Sequence, residues 1–231
     1  MPSPDATAAL AQLEHEVVTC RACPRLVGWR EQVAREKRAA FAAEPYWGRP
    51  LPGFGDPQAR IVILGLAPAA HGGNRTGRIF TGDRSGDFLF ASMHRTGLAN
   101  QALSVSRDDG LQLRDAYVVA AVRCAPPANQ PLPEERDNCA DWLQREVALL
   151  SAVRVVVCLG GFAWESGLRL RAALGGDPIP RPRPKFTHAA ELPGAPWTLL
   201  GCFHPSQQNT FTGRLTPEMM DAVFARAVAL A

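Results

Sequence analysis

Lysine is almost missing from this chain. Of its 25 Lys and Arg residues only Lys37 and Lys185 are lysines, so 23 arginines carry nearly all the positive charge. A formal net charge of +3 excludes a histone-like or polybasic protein. It does not exclude a nucleic-acid surface, because a planar guanidinium suits bidentate phosphate contacts and keeps its charge when buried. No apolar run approaches the roughly 20 residues that cross a bilayer. The opening residues MPSPDATAAL lack the basic stretch and apolar core of a secretory leader. A cytoplasmic chain without membrane association is therefore expected. Nucleotide fingerprints are missing too. There is no G-x-x-x-x-G-K-[ST], and the glycines do not fall as G-x-G-x-x-G, which disfavours an NTPase or a dinucleotide dehydrogenase.

What is present supports one core. The 231 residues, 46% of them apolar, are expected to form a single domain over residues 1–231, with residues 1–58 as an N-terminal extension. Apolar positions Leu10, Leu13, Val17 and Val18 predict a helix from Pro4 to Thr19. Residues 44–57, EPYWGRPLPGFGDP, hold four prolines, three glycines and three aromatics, the composition of an ordered loop. Four short, non-alternating apolar runs then follow, Ile61–Leu66, Tyr117–Val122, Val153–Leu159 and Thr198–Phe203. Such runs read as strands buried on both faces. Helical stretches follow them at Ser85–Thr96, Pro133–Leu150, Gly161–Ala173 and Pro217–Leu230. This rhythm predicts an α/β/α sandwich around a four-stranded, mainly parallel sheet, with its site outside the carboxyl ends of the strands. Residues 175–196, with six prolines, read as a long surface loop or short hairpin.

Six cysteines in a reducing compartment are not expected to pair as disulfides. Cys20 and Cys23 form C-x2-C, and Cys124 and Cys139 flank the proline-rich segment after the second strand run. Two such pairs predict a metal site tying the N-terminal segment to the core. Zinc and a 4Fe-4S cluster both accept four thiolates, and spacing does not separate them. Cys158 and Cys202 lie within strand runs and are assigned to core packing.

Two segments stand at the predicted strand ends. GLAPAAHGGNRTGRIFTGDRSGDFLF, residues 65–90, carries glycines that permit close backbone approach to a ligand. HPSQQNTFTGRLTPE, residues 204–218, takes His204 out of a strand into a polar turn.

The first 19 residues of the former segment and HPSQQNTFTGR of the latter resemble the two motifs of the uracil-DNA glycosylase superfamily, most closely family 5. Cys20, Cys23, Cys124 and Cys139 are placed like the cysteines of its iron-sulfur branch, and YWGRPLPGFGDP is similar to family 5 members. The resemblance implies a 4Fe-4S cluster rather than zinc, an α/β/α sandwich, and excision of deaminated bases from DNA; a monomer is expected. Family 4 has an acidic residue in place of Leu66, and family 1 a water-activating aspartate in place of Ala67. The absence of both supports family 5.

The same resemblance distributes roles. Phe80 is expected to stack on an extruded base, Asn129 to present an amide to its edge, and Ala67 to border it. His204 is expected to donate a hydrogen bond to the charge that collects on the departing base. Asn74 is favoured, over His71 and Asp83, to orient the attacking water. Asn209 is assigned to holding the base or the loop. Arg75, Arg78, Ser206, Gln208 and Arg214 are assigned to DNA contact, with the turn Gln207–Phe211 entering the duplex. The resemblance also implies breadth, since the acidic and tyrosine gating of strictly uracil-specific relatives is lacking, with uracil joined by hypoxanthine, xanthine or hydroxymethyluracil. The alternatives are a strictly uracil-specific enzyme of the family 4 kind and a non-catalytic iron-sulfur DNA-binding module.

Overall fold

The structure, a computed structural model, describes residues 4–231, with side chains from residue 6 onward. Its strands are β1 (Phe54–Gly55), β2 (Ile61–Gly65), β3 (Ala116–Ala120), β4 (Val155–Leu159), β5 (Glu191–Leu192) and β6 (Thr198–Cys202). The α-helices are α1 (Pro4–Val18), α2 (Pro24–Glu36), α3 (Gly73–Thr76), α4 (Arg84–Arg95), α5 (Pro133–Leu149), α6 (Gly161–Ala173), α7 (Gln207–Phe211) and α8 (Pro217–Leu230).

The four apolar runs become β2, β3, β4 and β6, mutually parallel and almost wholly buried, as their lack of alternation requires. The sheet is wider than the expected four strands, with the order β1-β3-β2-β4-β6-β5. Its two additional members are antiparallel edges of two residues each. Two residues show no period, so nothing in the local pattern marks them. The edge strand β5 closes the proline-rich 175–196 segment back onto β6, with Glu191 opposite Leu200.

Alternate residues of each strand point to opposite layers. Ile61 and Ile63 of β2 join Phe90 and Met93 of α4 and Met220 and Phe224 of α8 on one face. Val62 and Leu64 join Leu143 of α5, and Trp164 and Leu168 of α6, on the other. Burial of each of these large side chains stabilises by about 1.5–3 kcal/mol. The result is the three-layer sandwich. Cys158 and Cys202 are fully buried within these two layers, in agreement with a packing role.

From β2 the chain first crosses to β3 on one side and then, through α5, to β4 on the other. This reversal makes the carboxyl ends of β2 and β4 the switch point, where an open α/β sheet leaves a crevice. The aromatic loop 44–57 is held against that end. Leu51 is buried and its N–H donates to the carbonyl of Arg123 at 2.8 Å, while Gly53 N–H donates to Glu146 at 2.8 Å. Glu146 in turn pairs with the buried Arg123 at 2.6 Å.

Candidate active site

A cavity of about 570 Å³ opens at the carboxyl edge of the sheet. Leu66, Ala67 and Ala69 reach it from the end of β2, Asn129 from the turn after β3, and His204 from the end of β6. Phe80 and Asp83 come from the segment between α3 and α4, Arg84 and Ser85 from the start of α4, and Ser206, Gln207 and Gln208 from the turn after β6.

Phe80 and His204 share this cavity, their ring centroids 5.9 Å apart and their planes tilted by 36°. Phe80 is held at φ +50°, a left-handed conformation that costs an aromatic residue about 1–3 kcal/mol. Two glycines make the arrangement possible. A Cβ at Gly86 would lie 1.9 Å from the carbonyl oxygen of Phe80, and one at Gly65 would lie 2.8 Å from its ring.

His204 lies in a desolvated wall, and burial pushes its pKa down to about 4. At neutral pH its imidazole is uncharged, with one ring N–H to donate. Its main-chain carbonyl accepts from Asn209 Nδ2 at 2.8 Å, so Asn209 fastens the turn on which His204 sits.

Asp83 is the N-cap of α4, accepting from Gly86 N–H at 3.0 Å. Burial raises its pKa, and the helix-terminal N–H groups oppose the rise without cancelling it. Gly82 followed by Asp83 and a helical run marks this N-cap in the sequence.

Asn74, by contrast, is fully buried away from the cavity. Its Nδ2 donates to the carbonyls of Arg30, at 3.2 Å, and Ala70, at 3.5 Å. His71 also turns elsewhere, its Nδ1 lying 3.0 Å from the Tyr46 hydroxyl.

The expected phosphate contacts separate into two groups. Ser206 and Gln208 line the cavity mouth, and Arg214 is exposed with its guanidinium over the Phe203 ring. Arg75 and Arg78 are buried instead. Arg75 pairs with Glu44, donates to the carbonyls of His71 and Gly82, and covers the Phe41 ring. Arg78 pairs with Asp109 at 2.7 Å and donates to Ser104 and Thr81. Both staple the motif together, and neither offers its charge to solvent.

A second, narrow pocket is lined by Cys20, Cys23, Cys124 and Cys139. Cys23 caps α2, Cys139 lies on α5, and burial pushes the thiols of Cys124 and Cys139 up to about 12 and about 11. Among the described residues, no three His, Cys, Asp or Glu side chains close on a point as the ligands of one metal ion would. Arg30, 2% exposed, donates from Nη1 to Cys124 Sγ at 2.9 Å.

An open, mainly parallel α/β sheet with an aromatic ring, a neutral imidazole and an amide around one strand-end cavity defines a protein built to receive a planar polar ring. Sequence comparison makes the assignment specific. A profile of the uracil DNA glycosylase superfamily matches residues 52–227. The chain is 56% identical over 226 residues to a type-5 uracil-DNA glycosylase of Mycobacterium tuberculosis, covering 96% of this chain and 82% of that protein. It is 52% identical over 217 residues to the type-5 uracil-DNA glycosylase of Thermus thermophilus, covering 93% and 95%. A third, from Pyrobaculum aerophilum, is 44% identical over 215 residues, covering 93% and 90%. The chain belongs to the uracil DNA glycosylase superfamily, in agreement with the resemblance seen in its motifs. No helix among the described residues is long and apolar enough to cross a membrane.

Proposed function

We propose that the cavity binds a uracil extruded from DNA and that the chain hydrolyses its N-glycosidic bond. The observation that carries this reading is the convergence of Phe80, His204 and Asn129 on one cavity from three separate segments of the chain. A base cannot be cut inside the stack, so it must enter such a pocket. Phe80 supplies a stacking face. Asn129, exposed at φ +56°, supplies both a donor and an acceptor for a uracil edge.

Departure of the base leaves negative charge on it and positive charge on the sugar. A neutral His204 donates its N–H toward that growing negative charge without having to give up a proton. One positioned donor in a dry site contributes about 3 kcal/mol, or roughly a hundredfold in rate. The attacking water is assigned to Asp83. Its carboxylate reaches the cavity where Asn74 does not, and its raised pKa makes it the better base once ionised. Ala67 adds no carboxylate beside the base, which leaves room for larger rings. Hypoxanthine and xanthine are therefore proposed as further substrates. A panel of duplexes, each with one defined lesion, tests this. Cleavage of U:G with none of hypoxanthine restricts the enzyme to uracil, and no abasic product from any duplex removes the proposal.

The four thiols are proposed to hold a 4Fe-4S cluster. In such a cluster each thiolate binds its own iron, so the sulfurs surround a volume rather than meet at one ion. Four thiols lining one narrow pocket fit the donor set of such a cluster. The buried Arg30 beside Cys124 supports an anionic occupant. When bound, the cluster would clamp α2 to the loop after β3 and to α5. Cys20, Cys23, Cys124 and Cys139 are absent from the base cavity, so the role is structural. DNA contact is assigned to Ser206, Gln208 and Arg214.

A further inference from the structure

Arg30 is buried, and among the described residues no carboxylate lies within ion-pair distance of its guanidinium. The guanidinium donates to Cys124 Sγ at 2.9 Å and to the Cys20 carbonyl at 3.1 Å, while Nε is buried with no partner among the described residues. A buried guanidinium is tolerated only opposite a compensating charge. The other end of the same residue faces the opposite way. The main-chain carbonyl of Arg30 accepts from Asn74 Nδ2 at 3.2 Å. The main-chain N–H of Asn74 donates to Ala69 at 3.1 Å, and its carbonyl accepts from Gly48 at 3.0 Å. Ala69 is a wall of the base cavity.

We propose that Arg30 and Asn74 are positioning residues that couple the four-thiolate site to the base cavity. The guanidinium is the counter-charge and hydrogen-bond donor to the Cys124 thiolate, and the Arg30 carbonyl with the Asn74 amide sets the path of the Ala69–Asn74 segment. This rests on the cluster reading. It also accounts for an asparagine within the first motif whose side chain turns away from the cavity. Occupancy of the thiolate site is thereby linked to the shape of the wall through two hydrogen bonds on either side of one residue.

The test uses the full chain purified with its cluster, as wild type, Arg30→Gln, Arg30→Lys, Arg30→Met and Asn74→Ala. Iron and sulfide per chain, reduction potential, iron release to a chelator and amide hydrogen exchange over residues 66–78 are measured, with kcat and KM on uracil DNA. Removing a cation and a donor from beside a sulfur lowers the potential. Arg30→Gln is therefore expected at a more negative potential, with iron release at least tenfold faster, and Arg30→Lys between it and wild type. Asn74→Ala is expected to keep its iron and potential while exchange over residues 66–78 rises at least tenfold and kcat falls more than KM rises. Wild-type potential and release rate in Arg30→Gln overturn the counter-charge. Should that variant not fold, wild-type potential and release rate in Arg30→Met, which lacks both the charge and the donor, overturn it. Unchanged exchange in Asn74→Ala overturns the coupling. A wild-type protein free of iron and sulfide overturns the cluster reading itself, a result distinct from both.

Discussion

Gly86 gives Phe80 its place: a Cβ on the glycine would stand 1.9 Å from the Phe80 carbonyl oxygen, a contact only hydrogen can occupy. The aromatic ring that borders the base cavity is thus positioned by a residue outside the cavity lining. Gly86 lies in the first turn of α4, which Asp83 caps. One short stretch therefore sets both the stacking face and the carboxylate.

Phe80→Ala removes the stacking surface while leaving Gly86 its room. Stacking contributes about 1–3 kcal/mol per base, so kcat/KM on uracil duplexes should fall about 5- to 150-fold. Gly86→Ala should lower kcat/KM as well, and in addition lower Tm by several degrees, because overpacking costs about 1–3 kcal/mol. Thermal melts with steady-state kinetics separate the two. A Gly86→Ala variant melting with wild type would mean that the backbone around Phe80 yields freely.

The depressed pKa of His204 makes a pH prediction. The ordinary histidine value is 6.5 and the folded value is about 4, so the folded state resists protonation. The stability this contributes is fully present above pH 6.5 and is lost as pH falls from 6.5 to about 4. The loss reaches about 3 kcal/mol at the acid end. Denaturant melts of wild type and His204→Gln at pH 7.5 and pH 4.5 should show wild type losing more on acidification. In activity, no inflection near pH 6.5 should come from His204. A kcat/KM profile with a histidine-like step at 6.5, absent in His204→Gln, would show the ring to be solvated and cationic.

Asp83→Asn keeps a side-chain oxygen for the Gly86 N–H and removes the basic carboxylate. It should reduce kcat at least tenfold with a small effect on Tm, since only a cap worth about 1 kcal/mol is at stake. Asp83→Ala should lose the cap too and melt lower. Single-turnover rates on uracil DNA decide whether this carboxylate serves the water. Wild-type kcat in Asp83→Asn would return that role to an open question.

Arg214, exposed, and Arg78, buried against Asp109, should behave differently when removed. Arg214→Ala removes an exposed charge, so the slope of log affinity against log salt should shrink by about 0.9 with Tm unchanged. Arg78→Ala breaks the buried pair with Asp109 and should destabilise by about 3–5 kcal/mol with no change specific to salt. Binding isotherms at several salt concentrations, beside melts, read both outcomes.

Much of the scaffold was legible because burial leaves a local trace. The β-branched runs marked all four parallel strands, and Pro217 after Thr216 located the start of α8, where Thr216 accepts from Met219 N–H. The same signal was available for α2, with Pro24 directly after Cys23 and Leu26, Val27, Arg30 and Val33 recurring on one buried face. Helices α3 and α7 span four and five residues, too short to show a period.

The chain by itself determined the alternation of strands and helices, the four thiols in two pairs, and the two polar segments at the strand ends, because each is written in the kind and spacing of neighbouring residues. Only the tertiary structure decided which polar side chains of the first motif face the cavity. Asn74, Arg75 and Arg78 turn inward to Arg30, Glu44 and Asp109, while Phe80 and Asp83 line the cavity. In an irregular loop a side chain points to whichever distant group completes its hydrogen bonds or balances its charge, and no local period encodes where that group will be.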